Sequence, residues 1–323
     1  MSSTTHEEGF DHFGMANATE EGDLRDASRQ YSRNRANMAR CGVEGVNACL
    51  YVIATPIGNL GDITSRALDM LRTVDFIAAE DTRHSAVLMR HFNVVTPMVS
   101  YHDHSKDGQV LTLLNHLRSG RSVALISDAG TPLVSDPGYR LVAACHNEDI
   151  PVVPVPGASA LTAALSASGL PTDRFHFEGF LPVKSAQRIA RLKTVQYLES
   201  TLVFFESPRR LPESLGALVE VFGDRPAALC RELTKAHETI RRASLQGLQD
   251  FVAQDPQQLK GEAVLIVRGF EAGDNGLTPG AMSLVERLAE ELPPRRAAAV
   301  TADITDISAR ALYQWLLEKK QDS

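Results

Sequence analysis

Short apolar runs of strand length, each followed by a loop containing Gly or Pro and then by a helical stretch, recur through the first half of the chain. The run at 50–54 is followed by the loop Thr55–Asp62, in which Asp62 is placed to cap the next helix. Strands that alternate with helices pair in parallel, because each crossover returns the chain to the same end of the sheet. The pattern therefore predicts an α/β domain over residues 49–172. Its strands are predicted at residues 50–54, 76–79, 98–100, 123–126 and 152–153.

The rest of the chain divides into regions of different composition. Residues 1–48 contain few apolar residues and no sustained hydrophobic period, which predicts a disordered leader. Residues 173–270 follow a break in the pattern and predict a second α/β unit with a higher share of strand. Residues 281–323 are predicted to be helical, and the segments 297–304 and 308–317 have the spacing of a helix-turn-helix.

Net charge distinguishes these regions. The whole chain carries 33 Lys and Arg against 40 Asp and Glu, a formal charge of −7, which argues against a generic polybasic nucleic-acid binder. Residues 174–269 alone carry 14 Lys and Arg against 11 Asp and Glu, a net charge of +3. We therefore expect a phosphate-bearing partner to contact this segment through a few placed arginines.

Several protein classes are disfavoured by what the sequence lacks. It contains no apolar run of about 18 residues and no apolar segment of the secretory type near its start, so we expect a cytoplasmic protein with no membrane association. Cys41, Cys49, Cys145 and Cys230 have no CxxC spacing, so neither a metal centre nor a disulfide framework is expected.

The most informative motif is Ser127–Gly138, which follows the strong strand predicted at 123–126. Ligands of open α/β sheets bind outside the carboxyl ends of the strands. Asp128 is therefore expected to accept hydrogen bonds from a ligand hydroxyl or ammonium group, while Gly130 allows close approach of the backbone. Asp136, followed by Pro137 and Gly138, is interpreted as the N-cap of the next helix.

Two other loops of small residues, Thr55–Asp62 and Val155–Ala160, also follow predicted strands. The first of them lacks the GxGxxG pattern of dinucleotide-binding proteins and the Lys-Ser/Thr of a triphosphate-binding loop. One such turn is ordinary structure, but three at strand ends of one domain indicate a shared ligand pocket.

Charged residues also cluster at predicted strand ends. Glu80–Arg83 and Tyr101–His104 follow strands of the first unit, and Phe204–Arg210 and Arg231–Lys235 close strands of the second. Local ion pairs and solvated loops are one interpretation of these residues. Arginines that face phosphate are the other, and the clustering at strand ends favours it.

These motifs together resemble the tetrapyrrole methylase family of S-adenosylmethionine-dependent methyltransferases, and within it the branch that modifies ribosomal RNA. The loop Thr55–Gly58 departs from the Gly-rich loop of the cobalamin-pathway members, which favours the ribosomal branch. The resemblance covers about residues 48–269, and the C-terminal helical pair is similar to the small helix-turn-helix domain of that branch. The matching stretches are 54–63, 79–83, 127–138, 155–160, 204–210, 231–235 and 261–267.

The resemblance implies two α/β domains with S-adenosylmethionine in the cleft between them, and a homodimer. It implies methylation of the ribose 2′-hydroxyl of a cytidine in the decoding region of 16S rRNA within the small ribosomal subunit. Residues 281–323 are expected to contact RNA or serve as an accessory domain. The residues expected to bind the cofactor are Pro56, Ile57, Gly58, Asp128, Ala129, Gly130, Thr131, Ser135, Gly157, Ala158 and Ser159.

The catalytic groups are less determined. A hydroxyl is a poor nucleophile, so a base is expected, and Asp81, His102, Asp103 and Glu232 are the candidates. Arg231→Ala is expected to spare cofactor affinity and lower RNA methylation. The basic candidates for holding phosphate or polarising the ribose are Arg83, Arg209, Arg231 and Lys235, and those expected to bind RNA are Arg209, Arg210, Arg241 and Arg242.

Two other functions are compatible with the sequence. One keeps the fold and methylates a small molecule such as a tetrapyrrole, which would show as copurified pigment or as activity without RNA. The other is a non-enzymatic RNA-binding assembly factor, which would fail to bind S-adenosylmethionine.

Overall fold

The structure, a computed structural model, describes residues 49–101, 108–271 and 277–321, so the predicted leader at 1–48 lies outside it. The first sheet is parallel throughout and has the strand order β3-β2-β4-β1-β5. Its strands are β1 (Cys49–Ile53), β2 (Phe76–Ala79), β3 (Met98–Ser100), β4 (Ser122–Ile126) and β5 (Val152–Val155). The helices that connect and follow them are α1 (Ser65–Thr73), α2 (Thr82–His91), α3 (Gly108–Arg118), α4 (Tyr139–Asn147) and α5 (Ala160–Ala167). We call these elements the first domain.

The central strands β1, β2 and β4 of the first domain are buried on both faces, which is why they read as apolar runs instead of alternating patterns. Tyr51 and Ile53 of β1 pack with Met70 of α1 in one core cluster. Leu50 of the same strand points the opposite way and packs with Leu117 of α3 in a second cluster. The predicted parallel α/β domain is therefore confirmed.

Two predicted helix caps are wrong. The N-cap of α1 is Thr64, whose hydroxyl accepts a hydrogen bond from the backbone N–H of Ala67 at 3.1 Å. Asp62 instead ends a short 3₁₀ turn, Leu60–Asp62, that occupies the loop before α1. Gly138 occupies the N-cap of α4 with φ of 141°, so Asp136 lies outside that helix and is available to the loop.

The second sheet is mixed and has the strand order β6-β7-β10-β8-β9. Only the β6–β7 pair is parallel among its four strand pairs. The strands are β6 (Phe175–Phe180), β7 (Thr201–Glu206), β8 (Pro226–Arg231), β9 (Thr239–Ser244) and β10 (Ala263–Val267). The helices are α6 (Ser185–Val195), α7 (Leu211–Phe222) and α8 (Leu245–Gln254). We call these elements the second domain.

The two faces of the second sheet are covered by different parts of the molecule, as the alternating side chains of β10 show. Leu265 packs in the cluster formed with α6, α7 and α8. Val264 and Ile266 point the other way and pack with Ile57 and Leu165 of the first domain. The two domains therefore share a hydrophobic contact, and the cleft between them is built on that contact.

Three helices follow the second domain: α9 (Pro279–Glu291), α10 (Pro294–Thr305) and α11 (Ala309–Gln321). They surround their own core and pack against Tyr197 and Phe270 of the second domain. The Lys319 ammonium donates a hydrogen bond to the Tyr197 hydroxyl at 3.2 Å and forms an ion pair with Glu286 of α9. The segment between α10 and α11 includes Asp306 in the left-handed region. Among the described residues, each helix is too short or too polar to cross a bilayer.

The backbone is closely packed where β10 leads toward the helical unit. Gly269 is buried, and a Cβ on it would overlap the carbonyl oxygen of Glu199. The neighbouring N–H of Phe270 donates to the carbonyl of Leu198 at 2.7 Å, which fixes the two segments side by side. Side chains larger than hydrogen are therefore excluded at position 269.

We expect Gly269→Ala to lower the free energy of unfolding by at least about 3 kcal/mol, because two hydrogen-bonded backbone segments would have to separate. The control is Gly280→Ala on α9, where a Cβ would meet nothing within 4 Å, so stability should be unchanged or slightly higher. Urea unfolding followed by circular dichroism measures both. Equal midpoints for the two variants would contradict this packing.

Candidate functional site

Reciprocal backbone hydrogen bonds join the loops after β1 and β4. The N–H of Thr55 donates to the carbonyl of Gly130 at 2.8 Å, and the N–H of Gly130 donates to the carbonyl of Thr55 at 3.1 Å. The Thr55 hydroxyl also donates to the carbonyl of Ser127 at 3.3 Å. Because β1 and β4 are neighbouring parallel strands, their loops leave the sheet at the same edge and meet there.

The loop after β5 joins the same assembly. The Thr131 hydroxyl donates to the carbonyl of Ala158 at 3.1 Å. A Cβ on Gly157 would lie 3.0 Å from the Cβ of Ala54, and one on Gly130 would lie 3.2 Å from Cγ2 of Ile57. The three loops that were predicted to form one pocket are therefore in contact with one another, and small residues allow that contact.

The loop between β4 and α4 holds two non-glycine residues in the left-handed region, Leu133 with φ of 72° and Ser135 with φ of 67°. Such conformations are uncommon for residues with a side chain and persist where surrounding contacts determine them. A Cβ on Gly179, at the end of β6, would lie 3.5 Å from Oγ of Ser135. This loop therefore reaches the second domain.

A cavity of about 460 Å³ lies between these loops and the second sheet. Its size is typical of a small-molecule site. Its lining from the first domain is Ile57, Glu80, Asp128, Ala129, Gly130, Thr131, Val134, Ser135, Asp136, Ser159 and Ala160. Its lining from the second domain and its adjoining loops is Phe180, Phe205, Glu206, Ser207, Pro208, Cys230, Leu233, Gly261, Glu262, Ala263 and Val264.

The second sheet contributes an apolar row to this cavity. Phe180 of β6 pairs with Phe205 of β7, Phe205 with Val264 of β10, and Val264 with Cys230 of β8. Cys230 is 0% exposed and Val264 is 5% exposed, whereas Phe180 at the other end is 58% exposed. The row therefore runs from the interior of the molecule to the mouth of the cleft. We call these four residues the apolar row.

The first domain contributes carboxylates opposite that row: Glu80, Asp128 and Asp136. One Asp128 oxygen accepts a hydrogen bond from the backbone N–H of Asp81 at 3.0 Å, which fixes its side chain. Burial, together with the charges of Glu80 and Asp128, raises the pKa of Asp136 to about 6, against the opposing effect of a hydrogen bond from Ser127. The pKa of Asp136 therefore lies closer to neutral pH than that of an ordinary aspartate.

The described residues at the cavity favour neither a cysteine nucleophile nor a metal ion. Burial, with a further contribution from Glu238, raises the pKa of the Cys230 thiol to about 11, so the thiol stays protonated and is a poor nucleophile. In the described parts of the chain, no group of three or more His, Cys, Asp or Glu is arranged to hold a metal ion.

A cluster of charged residues borders the cavity on the side of the second domain. The Lys235 ammonium donates to Glu232 and to Glu262, each at 2.9 Å. Burial opposes the charged form of Lys235, but these two carboxylates outweigh burial and raise its pKa. The carbon stem of Lys235 covers the backbone of Gly58, where a Cβ would overlap it. Lys235 thus links the first loop of the first domain to the second domain.

The candidate bases differ in their suitability. Burial raises the pKa of Glu232, but hydrogen bonds from Lys235 and from the backbone N–H of Glu262 outweigh it and lower the pKa. Asp81 is the N-cap of α2, and the backbone N–H of Arg83 is the main cause of its lowered pKa. Neither residue lines the cavity. Asp103 and His102 lie outside the described residues.

Two of the basic candidates, Arg231 and Arg210, donate hydrogen bonds to other parts of the protein. Arg231 is buried, and its guanidinium donates to Gln258 and to the carbonyls of Lys260 and His237 at 3.0–3.3 Å. Arg210 donates to the carbonyl of Leu181 at 2.6 Å. Arg231 therefore supports the loop after β8, and its position does not support contact with substrate.

Four other basic candidates are exposed: Arg209, Arg241 and Arg242 on the second domain, and Arg83 on the first. Arg241 and Arg242 lie on β9, an edge strand of the second sheet, and Arg241 lies over the ring of Phe251 at 5.5 Å. Arg209 is exposed and follows Pro208, which lines the cavity. Arg83 is also exposed, with 93% of its side chain accessible.

The cofactor residues predicted from the sequence fall into two groups. Ile57, Asp128, Ala129, Gly130, Thr131, Ser135 and Ser159 line the cavity. Pro56, Gly58, Gly157 and Ala158 do not line it and belong to the loops that build it, as the contacts of the last three show. The sequence reasoning missed Glu80 and Asp136 as cavity residues, although both lie in motifs that it singled out. It also missed Phe180, because no local pattern relates the end of β6 to the first domain.

Comparisons with known proteins agree with this architecture. The family model for Tetrapyrrole (Corrin/Porphyrin) Methylases matches residues 49–249, and that for the RsmI C-terminal HTH domain matches residues 276–320. The chain is 49% identical over 271 residues to ribosomal RNA small subunit methyltransferase I of Vibrio cholerae, covering 83% of this chain and 94% of that protein. It is 50% identical over 277 residues to the protein of that name from Pseudomonas aeruginosa, covering 85% and 98%.

Solved structures share the fold at low sequence identity. A diphthine synthase has a TM-score of 0.55 at 16% identity, over 68% of this chain and 90% of that one. A cobalt precorrin-4 methyltransferase has a TM-score of 0.52 at 18% identity, over 71% and 98%. The predicted fold class, two α/β domains with a helical C-terminal segment, is confirmed.

We expect Arg231→Ala to lower the free energy of unfolding by about 2–4 kcal/mol, because the amide oxygen of Gln258 and two backbone carbonyls would lose buried donors. Arg209→Ala, at an exposed site, should change it by less than about 0.5 kcal/mol. Guanidinium unfolding curves compare the two variants. An Arg231→Ala protein as stable as the wild type would return Arg231 to the list of substrate contacts.

The raised pKa of Asp136 predicts that stability depends on pH. Well below pH 3.8 this carboxyl is protonated in both states and has no effect on stability. As the pH rises from 3.8 to about 6 its ionisation increasingly favours the unfolded chain, and above about 6 that loss of stability is complete and constant. Asp136→Asn should therefore melt at a higher temperature than the wild type at pH 7.5, with a difference that disappears near pH 4. Scanning calorimetry from pH 4 to 8 measures it, with the exposed Asp303→Asn as control. A difference that persists at pH 4 would contradict this assignment.

Proposed function

The chain belongs to the tetrapyrrole (corrin/porphyrin) methylases and, within them, to the ribosomal RNA small subunit methyltransferase I proteins, and on that premise we propose its reaction. As a member of this family it is an S-adenosylmethionine-dependent methyltransferase. We propose that its substrate is 16S rRNA in the small ribosomal subunit, and that the methyl group goes to the ribose 2′-hydroxyl of a cytidine in the decoding region.

One observation carries the proposal: a cavity between the two domains with three carboxylates on the first domain's wall and the apolar row on the second domain's, whose own carboxylates Glu206 and Glu262 are paired with Arg210 and Lys235. S-adenosylmethionine supplies an electrophilic methyl group on a positively charged sulfonium. Glu80, Asp128 and Asp136 give the cavity the negative charge that a cationic ligand requires. Ile57 and the inner residues of the apolar row, Phe205, Val264 and Cys230, offer surface for an uncharged ring. The volume of about 460 Å³ lies within the range of small-molecule sites, so the residues present fit this cofactor.

We assign the binding of the cofactor to the three joined loops of the first domain. Gly130 brings the backbone close to the cavity, and the hydrogen bonds of Thr55 and Thr131 keep the loops from separating. Preformed loops reduce the entropy that binding must otherwise overcome. Positioning of the hydroxyl in line with the transferred group then supplies much of the rate.

We assign the role of proton acceptor to Asp136. It lines the cavity, is half-buried and has its pKa raised to about 6, which suits a general base near neutral pH. Its carboxylate would accept the proton that the 2′-hydroxyl loses as the oxygen bonds to the methyl carbon, while that carbon's bond to the sulfonium sulfur breaks and leaves a neutral thioether. The neighbouring Ser127 hydroxyl opposes part of the rise in the pKa of Asp136.

We assign RNA contact chiefly to the second domain. Arg209 is exposed beside the cavity, and Arg241 and Arg242 lie on an edge strand. A 2′-hydroxyl target makes RNA the substrate and excludes DNA. The match of residues 276–320 to the RsmI C-terminal HTH domain favours RNA over a tetrapyrrole substrate. Family membership is at odds with the non-enzymatic alternative.

Each domain has its own role in this reaction. We propose that residues 49–172 bind the cofactor, that residues 173–270 complete the cleft, and that residues 281–323 form the RNA-contact or accessory domain. A homodimer in the cytoplasm is the form in which we expect it to act.

The function is tested by methyl transfer from labelled S-adenosylmethionine to small ribosomal subunits from a strain that lacks the enzyme. Mass spectrometry of the released nucleosides should identify 2′-O-methylcytidine, and fragment mapping should place it in the decoding region. Deproteinised 16S rRNA is the parallel substrate. Methylation of a base only, or of neither substrate, would overturn the proposal.

Two aspartates should separate cofactor binding from proton transfer. We expect Asp128→Ala to weaken S-adenosylmethionine binding by about tenfold or more, because a carboxylate facing a cation is lost. We expect Asp136→Asn to bind the cofactor within about threefold of wild type but to lose at least about 100-fold in turnover, since the amide cannot accept the proton. Calorimetric titration and single-turnover rates measure the two effects. Asp136→Asn with normal turnover would exclude Asp136 as the base.

A further inference from the structure

An aromatic ring at the mouth of the cleft has no role in the reaction as described so far. Phe180 lines the cavity and is nevertheless 58% exposed. Its ring is therefore accessible to a ligand that enters the cleft. Phe180 also terminates the apolar row, whose other members lie deeper in the molecule.

The local structure fixes this ring in place. The register of β6 against β7 shifts between Phe177 and Gly179, and Gly179 has φ of 75°, a conformation that favours glycine. The irregularity lies immediately before Phe180. Its ring then meets the ring of Phe205 edge-on, with centroids 5.7 Å apart, and Phe205 meets Phe177 in the same manner at 4.8 Å. A ring braced in this way offers a stacking surface at little entropic cost.

The charge of the site shows which part of a nucleotide can lie against Phe180. The facing wall carries Glu80, Asp128 and Asp136, which repel a phosphate. A nucleobase is uncharged and stacks on aromatic side chains, which is how proteins hold bases that are turned out of an RNA strand. The exposed Arg209 follows Pro208, just past the end of β7, the strand that pairs in parallel with β6. It offers a positive charge for phosphate outside the acidic wall.

We propose that Phe180 is the stacking surface for the base of the nucleotide whose ribose is methylated. This inference rests on the proposed function, because it requires an RNA nucleotide in the cleft. The base lies on the Phe180 ring at the mouth of the cavity, its 5′ or 3′ phosphate lies toward Arg209, and its ribose is directed inward to the carboxylates. Phe180 is thus a positioning residue that determines how far into the cavity the 2′-hydroxyl extends.

The test compares Phe180→Leu, Phe180→Trp and Phe175→Leu. Phe175 lies at the other end of the same strand and is 47% exposed, so its replacement is a matched control for loss of an exposed ring. Each full-length variant is assayed for S-adenosylmethionine affinity, melting temperature, oligomeric state, and KM and kcat with small ribosomal subunits that lack the modification.

We expect Phe180→Leu to lose about 5- to 100-fold in kcat/KM for the ribosomal substrate, the range that follows removal of one base–aromatic stack. Cofactor affinity, melting temperature and oligomeric state should be unchanged. Phe180→Trp should retain activity within about threefold, and Phe175→Leu should match the wild type. Restoration by another aromatic ring is a result that loss of bulk or of folding would not produce.

Three results would overturn the inference. Weaker cofactor binding by Phe180→Leu would show that the ring holds the cofactor, and a changed oligomeric state would show that it lies in a subunit contact. Normal kcat/KM of Phe180→Leu, while wild-type enzyme methylates the subunits, would remove any role for stacking. Wild-type enzyme that fails to form 2′-O-methylcytidine would instead refute the proposed function itself, which makes the two failures distinguishable.

Discussion

The pair of backbone hydrogen bonds between Thr55 and Gly130 is the constraint on which the site depends. It closes the loop after β1 onto the loop after β4, and Thr131 extends the connection to the loop after β5. Backbone donors and acceptors in a buried loop must find partners, and here they find them in each other. The loops are thereby held at the edge of the sheet by backbone groups and two threonine hydroxyls. Asp128, Ser135 and Asp136 are consequently left to face the cavity.

The two walls of the cavity have opposite physical characters because they come from different kinds of structure. Loops at the carboxyl ends of parallel strands supply the carboxylates of Glu80, Asp128 and Asp136. The second sheet supplies a row of side chains, one from each of four hydrogen-bonded strands, in which exposure increases from Cys230 to Phe180. A ligand with a cationic centre and uncharged rings is complementary to both walls at once. The charge distribution matters more here than the net charge of −7.

The basic residues illustrate how similar local sequences take different roles. Arg209 and Arg210 are adjacent, yet one is exposed beside the cavity and the other donates to backbone carbonyls within the second domain. Arg231 looked like a phosphate ligand at a strand end, and the structure uses it to hold together the loop after β8. A guanidinium has enough donors for either task. Burial decides between them, and burial depends on the contacts of distant segments.

The sequence by itself determined the parallel sheet, the order of its elements along the chain and the three loops that follow its strands, because apolar runs, glycines and prolines act through local and periodic constraints. It also determined family membership, since the matched motifs are contiguous stretches of sequence, several of them in those loops. It did not determine that Asp136 lies beyond the N-cap of α4, nor that Phe180 lies across from Ser135 and the acidic wall. Those arrangements were decided only by the packing of the second sheet against Ile57 and Leu165 of the first domain. Residues brought together by such a contact are far apart in the chain, so no local pattern encodes their proximity.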